Sequence, residues 1–132
     1  MAQGVPPEKT IDQVAEEIGL YPAEAFEFVR RGLQYTVDKL HAGKAPEDCH
    51  HVSGQQLSDG LREFALKQWG MLARTVLRRW NITSTYDFGR IVYALVENGY
   101  LSTTDQDTID DFKNVFDFRS AFDEGYRIEC NV

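Results

Sequence analysis

A chain of 132 residues, 42% apolar and 27% charged, has the size and balance of one globular domain that can bury a core without disulfides or metals. It has no run of about 18 apolar residues, and its opening MAQGVPPEKT has no hydrophobic stretch. Neither a transmembrane helix nor a secretory signal is therefore predicted, and the chain reads as cytoplasmic, with Cys49 and Cys130 as reduced thiols. The net charge of −7 argues against the phosphate-driven affinity of a nucleic-acid binder.

Residues 1–9, with Gly4, Pro6 and Pro7, read as a flexible N-terminal arm, and residues 10–132 as a single helical domain. Thr10 and Gln13 form a capping-box pattern that opens a short helix ended by Gly19. Pro22 suits the first turn of a second helix, running to about His41. Its expected buried face is Ala25, Phe28, Val29, Leu33, Val37 and Leu40. Gly32 lies inside it at a cost of about 1 kcal/mol relative to Ala, which suggests close packing against a neighbour or simple tolerance.

Residues 43–52 read as a loop, after which Ser53 and Gln56 repeat the capping pattern. The stretch 57–80 is central. Leu57, Leu61, Phe64, Ala65, Trp69, Leu72, Val76 and Trp80 recur at helical spacing, with Glu63, Lys67, Arg74 and Arg78 opposite. Arg79 turns toward the apolar side on the same spacing. Gly70 interrupts this stretch, and two helices joined at a tight break are favoured over one bent helix.

Cap residues at 83–85 precede a helix over 86–98 that buries Phe88, Ile91, Val92, Leu95 and Val96. Gly99 suits a left-handed C-cap, with Tyr100 or Leu101 folding back on the last turn. Thr104 or Asp105 begins a short helix carrying Ile109 and Phe112, and Asp117 caps a last turn holding Phe118 and Phe122. Residues 126–130 read as a short strand or an extended segment. The fold class expected is all-α: a compact single-domain helical bundle of five to seven helices.

The charges are uneven. From Tyr100 onward eight acids stand against three bases, whereas 61–80 hold five bases and Glu63 alone. An acidic C-terminal part lying near a basic central helix is the simplest consequence.

Cys49, His50, His51, Cys130 and His41 are the candidate zinc ligands, but they lack the usual C-x-x-C or H-x-x-x-H spacing, and solvent-exposed loop residues are the stronger reading. Cys49 with His50 as a nucleophile pair is weaker still, since the two neighbours diverge. Asp105, Gln106, Asp107 and Asp110 depart from a calcium loop at its glycine and glutamate positions. Asp87-Phe88-Gly89 matches the kinase triplet in letters only, and Phe88 reads as core.

The segments HVSGQQL (51–57), FALKQWGMLARTVL (64–77), YDFGRIVYALVENGYLS (86–102) and DFKNVFDF (111–118), with YPAEAFEFVRRGLQYT (21–36), cover most of the chain. They resemble a family of small uncharacterised bacterial proteins associated with planctomycetes and verrucomicrobia. The resemblance implies one domain and a bacterial cytoplasm, and carries no activity, cofactor or catalytic residue.

The function expected is that of a non-catalytic helical domain acting as a protein–protein interaction module, with no cofactor and no small-molecule substrate. Its contact surface is placed on the loop 50–54 and the helix it caps, through His50, His51, Ser53 and Gln55, with Arg74 and Arg78 as the next surface. One alternative is a helix-turn-helix-like nucleic-acid-associated protein using Arg74, Arg78 and Arg79. A second is a metal-binding or thiol protein using the loop from Cys49 to His51.

Overall fold

The computed structural model describes residues 1–4, 9–41 and 51–124, and most of them are helical. Five α-helices follow one another among them: α1 (Ile11–Ile18), α2 (Ala23–Leu40), α3 (Gly54–Trp69), α4 (Ala73–Arg79) and α5 (Thr85–Glu97). A 3-10 turn (Ile109–Phe112) and a π-helical turn (Arg119–Glu124) come after α5. Two strands of two residues each, β1 (Ala2–Gln3) and β2 (Leu101–Ser102), pair antiparallel, with Ala2 opposite Ser102 and Gln3 opposite Leu101. The chain is thus mostly helical with one small sheet. The strand or extended segment expected at 126–130 lies outside the described residues.

Local chemistry accounts for the helix ends. The Thr10 hydroxyl accepts from the Gln13 N–H at 3.2 Å, while the Gln13 side chain accepts from the Thr10 N–H at 2.8 Å. Ser53 and Gln56 repeat this exchange at 3.0 and 2.9 Å. Each box satisfies two donors that a helix start leaves orphaned. After α5, Gly99 takes φ 82°, which lets the Tyr100 N–H reach back to the Leu95 carbonyl at 2.9 Å.

The first residues depart from the flexible arm expected over 1–9. Met1 is buried against the core, and its amine donates to the Val52 carbonyl at 2.8 Å and to Asp107 at 3.2 Å. The Val52 N–H returns a bond to the Met1 carbonyl at 3.1 Å, and the Gly4 N–H donates to the Tyr100 carbonyl at 2.8 Å. Apolar burial of Met1 and backbone pairing to β2 together hold residues 1–4 in place.

The core forms where α2 crosses α3. A methyl group on Gly32 would stand 2.1 Å from Leu61 Cδ2, and one on Gly60 would stand 1.8 Å from Thr36 Oγ1. The two helices therefore touch backbone to side chain at this crossing, and close packing is the reason for the glycine inside α2. Thr36 turns its hydroxyl back to the Gly32 carbonyl at 2.7 Å, so its buried oxygen is satisfied. Leu33, Leu57 and Leu61 fill the surrounding space with Phe26, Phe88 and Phe112, all fully buried. Leu40, expected on the buried face, is exposed at the end of α2.

The central stretch is broken at Gly70, as favoured from its sequence. Gly70 adopts φ 53°, ψ −125°, a conformation reserved in practice for glycine, and a 3-10 turn (Gly70–Leu72) separates α3 from α4. The break shifts the buried face by one residue. Ala73 and Leu77 are completely buried, while Leu72, expected in the core, is 63% exposed and Met71 is 75% exposed. The same shift exposes Arg79, which unbroken helical spacing would turn inward.

Candidate functional site

One side of α2 carries Glu24, Glu27, Phe28 and Arg31 at helical spacing, with the charged residues bordering the buried Phe28 ring. Beside this face opens a groove of about 690 Å³, bounded also by Ile11 and Asp12 of α1, Phe64 and Trp69 of α3, and Trp80 and Tyr100. Phe28 is the hub of its wall. Its ring centroid lies 5.6 Å from Phe64, 5.2 Å from Trp69 and 5.8 Å from Trp80. Trp69 and Trp80 meet edge to face at 5.3 Å, and Tyr35 extends the cluster by packing on Phe64 at 5.5 Å. Phe28 itself is buried, whereas Trp69 and Trp80 remain half-exposed. Rings at these distances and angles pack against one another as aromatic pairs do.

Charge is distributed unevenly along this groove. Among the described lining residues three carboxylates, Asp12, Glu24 and Glu27, stand against one guanidinium, Arg31. Glu27 pairs with Arg30 at 3.2 Å, and the Arg30 guanidinium lies 4.9 Å from the centre of the Tyr100 ring. The Tyr100 hydroxyl in turn donates to the Lys9 carbonyl at 2.6 Å, which fixes the entry to α1. The groove offers apolar packing surface, exposed ring faces and negative charge.

A second polar constellation lies beneath the start of α5. The Tyr21 hydroxyl donates to Asp87 Oδ1 at 2.5 Å, and Asp87 Oδ2 accepts from the Thr83 and Ser84 N–H groups at 2.9 and 3.2 Å. Arg90 Nη1 stands 3.7 Å from the same carboxylate. Burial pushes the Tyr21 phenol well above its ordinary range, and the Asp87 carboxylate pushes it further in the same direction. With Tyr21 and Asp87 both buried and closely bonded, this set caps α5 and ties it to the link between α1 and α2. It acts as a structural clamp. The Asp87-Phe88-Gly89 letters thus hide one capping residue and two core residues, since Phe88 is completely buried and Gly89 packs on Phe112.

The residues singled out from sequence fall in several places. Cys49, His50 and Cys130 lie outside the described residues. His51 is half-buried, with its carbonyl oxygen 3.1 Å from His41 Nε2. Ser53 is occupied as the cap of α3, and Gln55 is exposed on its first turn. The loop end was expected to have no packing duty, and the structure corrects this: Val52 is buried, and a methyl on Gly54 would stand 2.7 Å from Asp111 Cβ. Among the described residues no three His, Cys, Asp or Glu side chains are grouped to hold a metal.

Asp107 is among the acids considered for a calcium loop. Burial tends to raise its pKa, but the Thr104 N–H and the Met1 amine outweigh burial and hold it below the usual carboxylate range. Its carboxylate is therefore engaged in holding the turn and the chain start.

Arg78 and Arg79 are exposed on α4, and Arg74 is half-buried, lining a small recess of about 40 Å³ with Arg78, Ile82, Thr83 and Phe118. In a helix-turn-helix reading α5 would follow α4 as the recognition helix. Eight of its 13 residues are buried, including Asp87, so little of its circumference is open to a nucleic-acid groove. Arg62, one of the five bases of residues 61–80, donates from Nε to the Ala121 carbonyl at 3.1 Å, joining the C-terminal turn to α3.

The aromatic groove itself was missed from sequence. Phe28 is buried, as its spacing implies, whereas Trp69 and Trp80, which share the spacing of a buried stripe, stay partly exposed. The available signal was Glu24 and Glu27 sharing a helix face with Phe28, an apolar residue bordered by charge. No helix among the described residues is long and apolar enough to cross a membrane. No protein-family model, curated protein or solved structure matches this chain.

Proposed function

We propose that this chain is a non-catalytic helical interaction module that receives a polypeptide segment of a protein partner in the groove walled by Phe28, Trp69 and Trp80. One observation carries the reading: two partly buried tryptophans on a packed aromatic wall that line a groove of about 690 Å³. Concave sites lined by aromatics with a few polar groups are where binding concentrates, and tryptophan is enriched among residues that dominate interface energetics. Met71 and Leu72, held out by the Gly70 break beside Trp69, add apolar surface to the same end of α3. This shifts the proposed surface away from His50, His51, Ser53 and Gln55, because Ser53 and its neighbours have packing and capping duties.

The test is capture of a partner from the native host, identified by mass spectrometry, with three forms of the protein. Ala23→Tyr adds bulk at the groove wall, and Gln55→Ala trims the alternative surface. The expected result is one partner held by the wild type and by Gln55→Ala and lost by Ala23→Tyr, with all three melting alike. Retention by Ala23→Tyr together with loss by Gln55→Ala would return the contact surface to the start of α3.

A further inference from the structure

We infer that the segment entering this groove is a basic one, anchored by an arginine side chain that lies over Trp69 or Trp80 while pairing with Asp12 and Glu24. This rests on the groove being the binding surface and goes further by naming the chemistry of its occupant. Asp12 and Glu24 are both exposed and make no ion pair among the described residues, unlike Glu27, which is engaged by Arg30. They are the negative charges left for a ligand. Arg31 stands seven residues along α2 from Glu24, about 10 Å by helical rise, so the groove is acidic at one end and basic at the other.

Ring geometry selects the kind of cation. The centroids of Phe28, Trp69 and Trp80 are 5.2–5.8 Å apart, which is direct ring-on-ring packing with no slot between rings for an ammonium group to enter. A cation can only lie on the outer faces. A planar guanidinium stacks on such a face and keeps its edge free to meet a carboxylate, whereas the compact, strongly hydrated lysine ammonium gains most inside a cage. Among the described residues lysines also lie over rings, Lys67 over Tyr35 at 4.9 Å and, farther out, Lys113 over Tyr86 at 6.0 Å beside Asp110. The combination of a ring at 4.9–5.2 Å and a carboxylate is built around guanidiniums, twice. Arg30 lies over Tyr100 and pairs with Glu27, and Arg90 lies over Tyr86 at 5.2 Å and within 3.7 Å of Asp87. The groove presents ring faces and carboxylates in that same combination for an arginine from outside.

The experiment follows intrinsic tryptophan fluorescence of the full chain during titration with three synthetic peptides of one leucine-containing pattern. They carry arginine, lysine or citrulline at the same positions, citrulline having the shape of arginine without its charge. The arginine peptide is expected to bind about tenfold more tightly than the citrulline peptide, as for one charge-assisted contact, and more tightly than the lysine peptide. An Asp12→Asn/Glu24→Gln double variant should lose that preference. An Asp105→Asn/Glu97→Gln variant, with the same change in net charge at exposed positions outside the groove lining, should keep it. Equal binding of arginine and citrulline peptides, or equal loss of preference in both double variants, overturns the arginine inference while leaving the groove reading intact. Absence of any fluorescence response also overturns it, and the groove reading then stands or falls on the Ala23→Tyr capture result alone.

Discussion

The two ends of α3 show what the same kind of residue does in different backbone settings. Toward its start, Leu57 and Leu61 are completely buried, and Leu61 meets α2 with no clearance at Gly32. At its far end, Trp69 is only partly buried, and Leu72, in the turn that begins at Gly70, is exposed. All four residues fall on one stripe when helical spacing is drawn through 57–80. The difference teaches that an apolar stripe marks a core only as far as the helix continues. Past the break at Gly70 the phase shifts, and Ala73 and Leu77 are buried in place of Leu72.

The largest expected effect tests the closed end. Leu61→Ala should destabilise by about 2–5 kcal/mol in chemical denaturation, since a completely buried side chain is removed from a close crossing. A loss below about 0.5 kcal/mol would dissolve the contrast between the two ends. Gly60→Ala should cost about 1–3 kcal/mol despite the gain in helix propensity, because the new methyl meets the buried Thr36. If it stabilised the protein instead, the crossing would be looser than its geometry implies.

Tyr21→Phe probes the clamp on the closed side and should cost about 1–2 kcal/mol at neutral pH through the lost bond to Asp87. Its pH dependence has a definite sign. Burial first, and then Asp87, raises the Tyr21 phenol above its ordinary 10.0 in the folded chain. The associated stability is therefore whole below about pH 10 and is lost as the pH rises above it toward the folded value. The gap in stability between wild type and Tyr21→Phe should narrow on going from about pH 9 to pH 11. A constant gap would mean that the phenol titrates normally. The smallest effect belongs to the open end: Leu72→Ala should change stability by less than about 0.5 kcal/mol. A loss comparable to that of Leu61→Ala would show that the stripe continues through Gly70.

Much of the local architecture was legible in the residues themselves. The capping boxes at Thr10 and Ser53, the break at Gly70 and the left-handed turn at Gly99 depend on groups within a few positions of one another, and sequence displays those groups directly. The mostly helical character and the buried leucines before Gly70 follow from periodicity, which holds wherever φ and ψ repeat. The pairing of β1 with β2 joins residues about a hundred positions apart and leaves no periodic trace in strands of two residues. Tyr21 meets Asp87 across a separation of 66 positions. The groove draws on α1, α2, α3, Trp80 and Tyr100, none of which signals its neighbours. Sequence determined where α1 and α3 begin, where the central stretch breaks and where α5 ends, because hydrogen-bond capping is a short-range interaction. The short helix expected from Thr104 or Asp105, by contrast, begins only at Ile109, with Thr108 as its cap. Only the tertiary structure decided which apolar residues form core and which form a surface, because burial depends on the element packed opposite and, in the central stretch, on the pair of dihedral angles at Gly70 that sets the phase of α4.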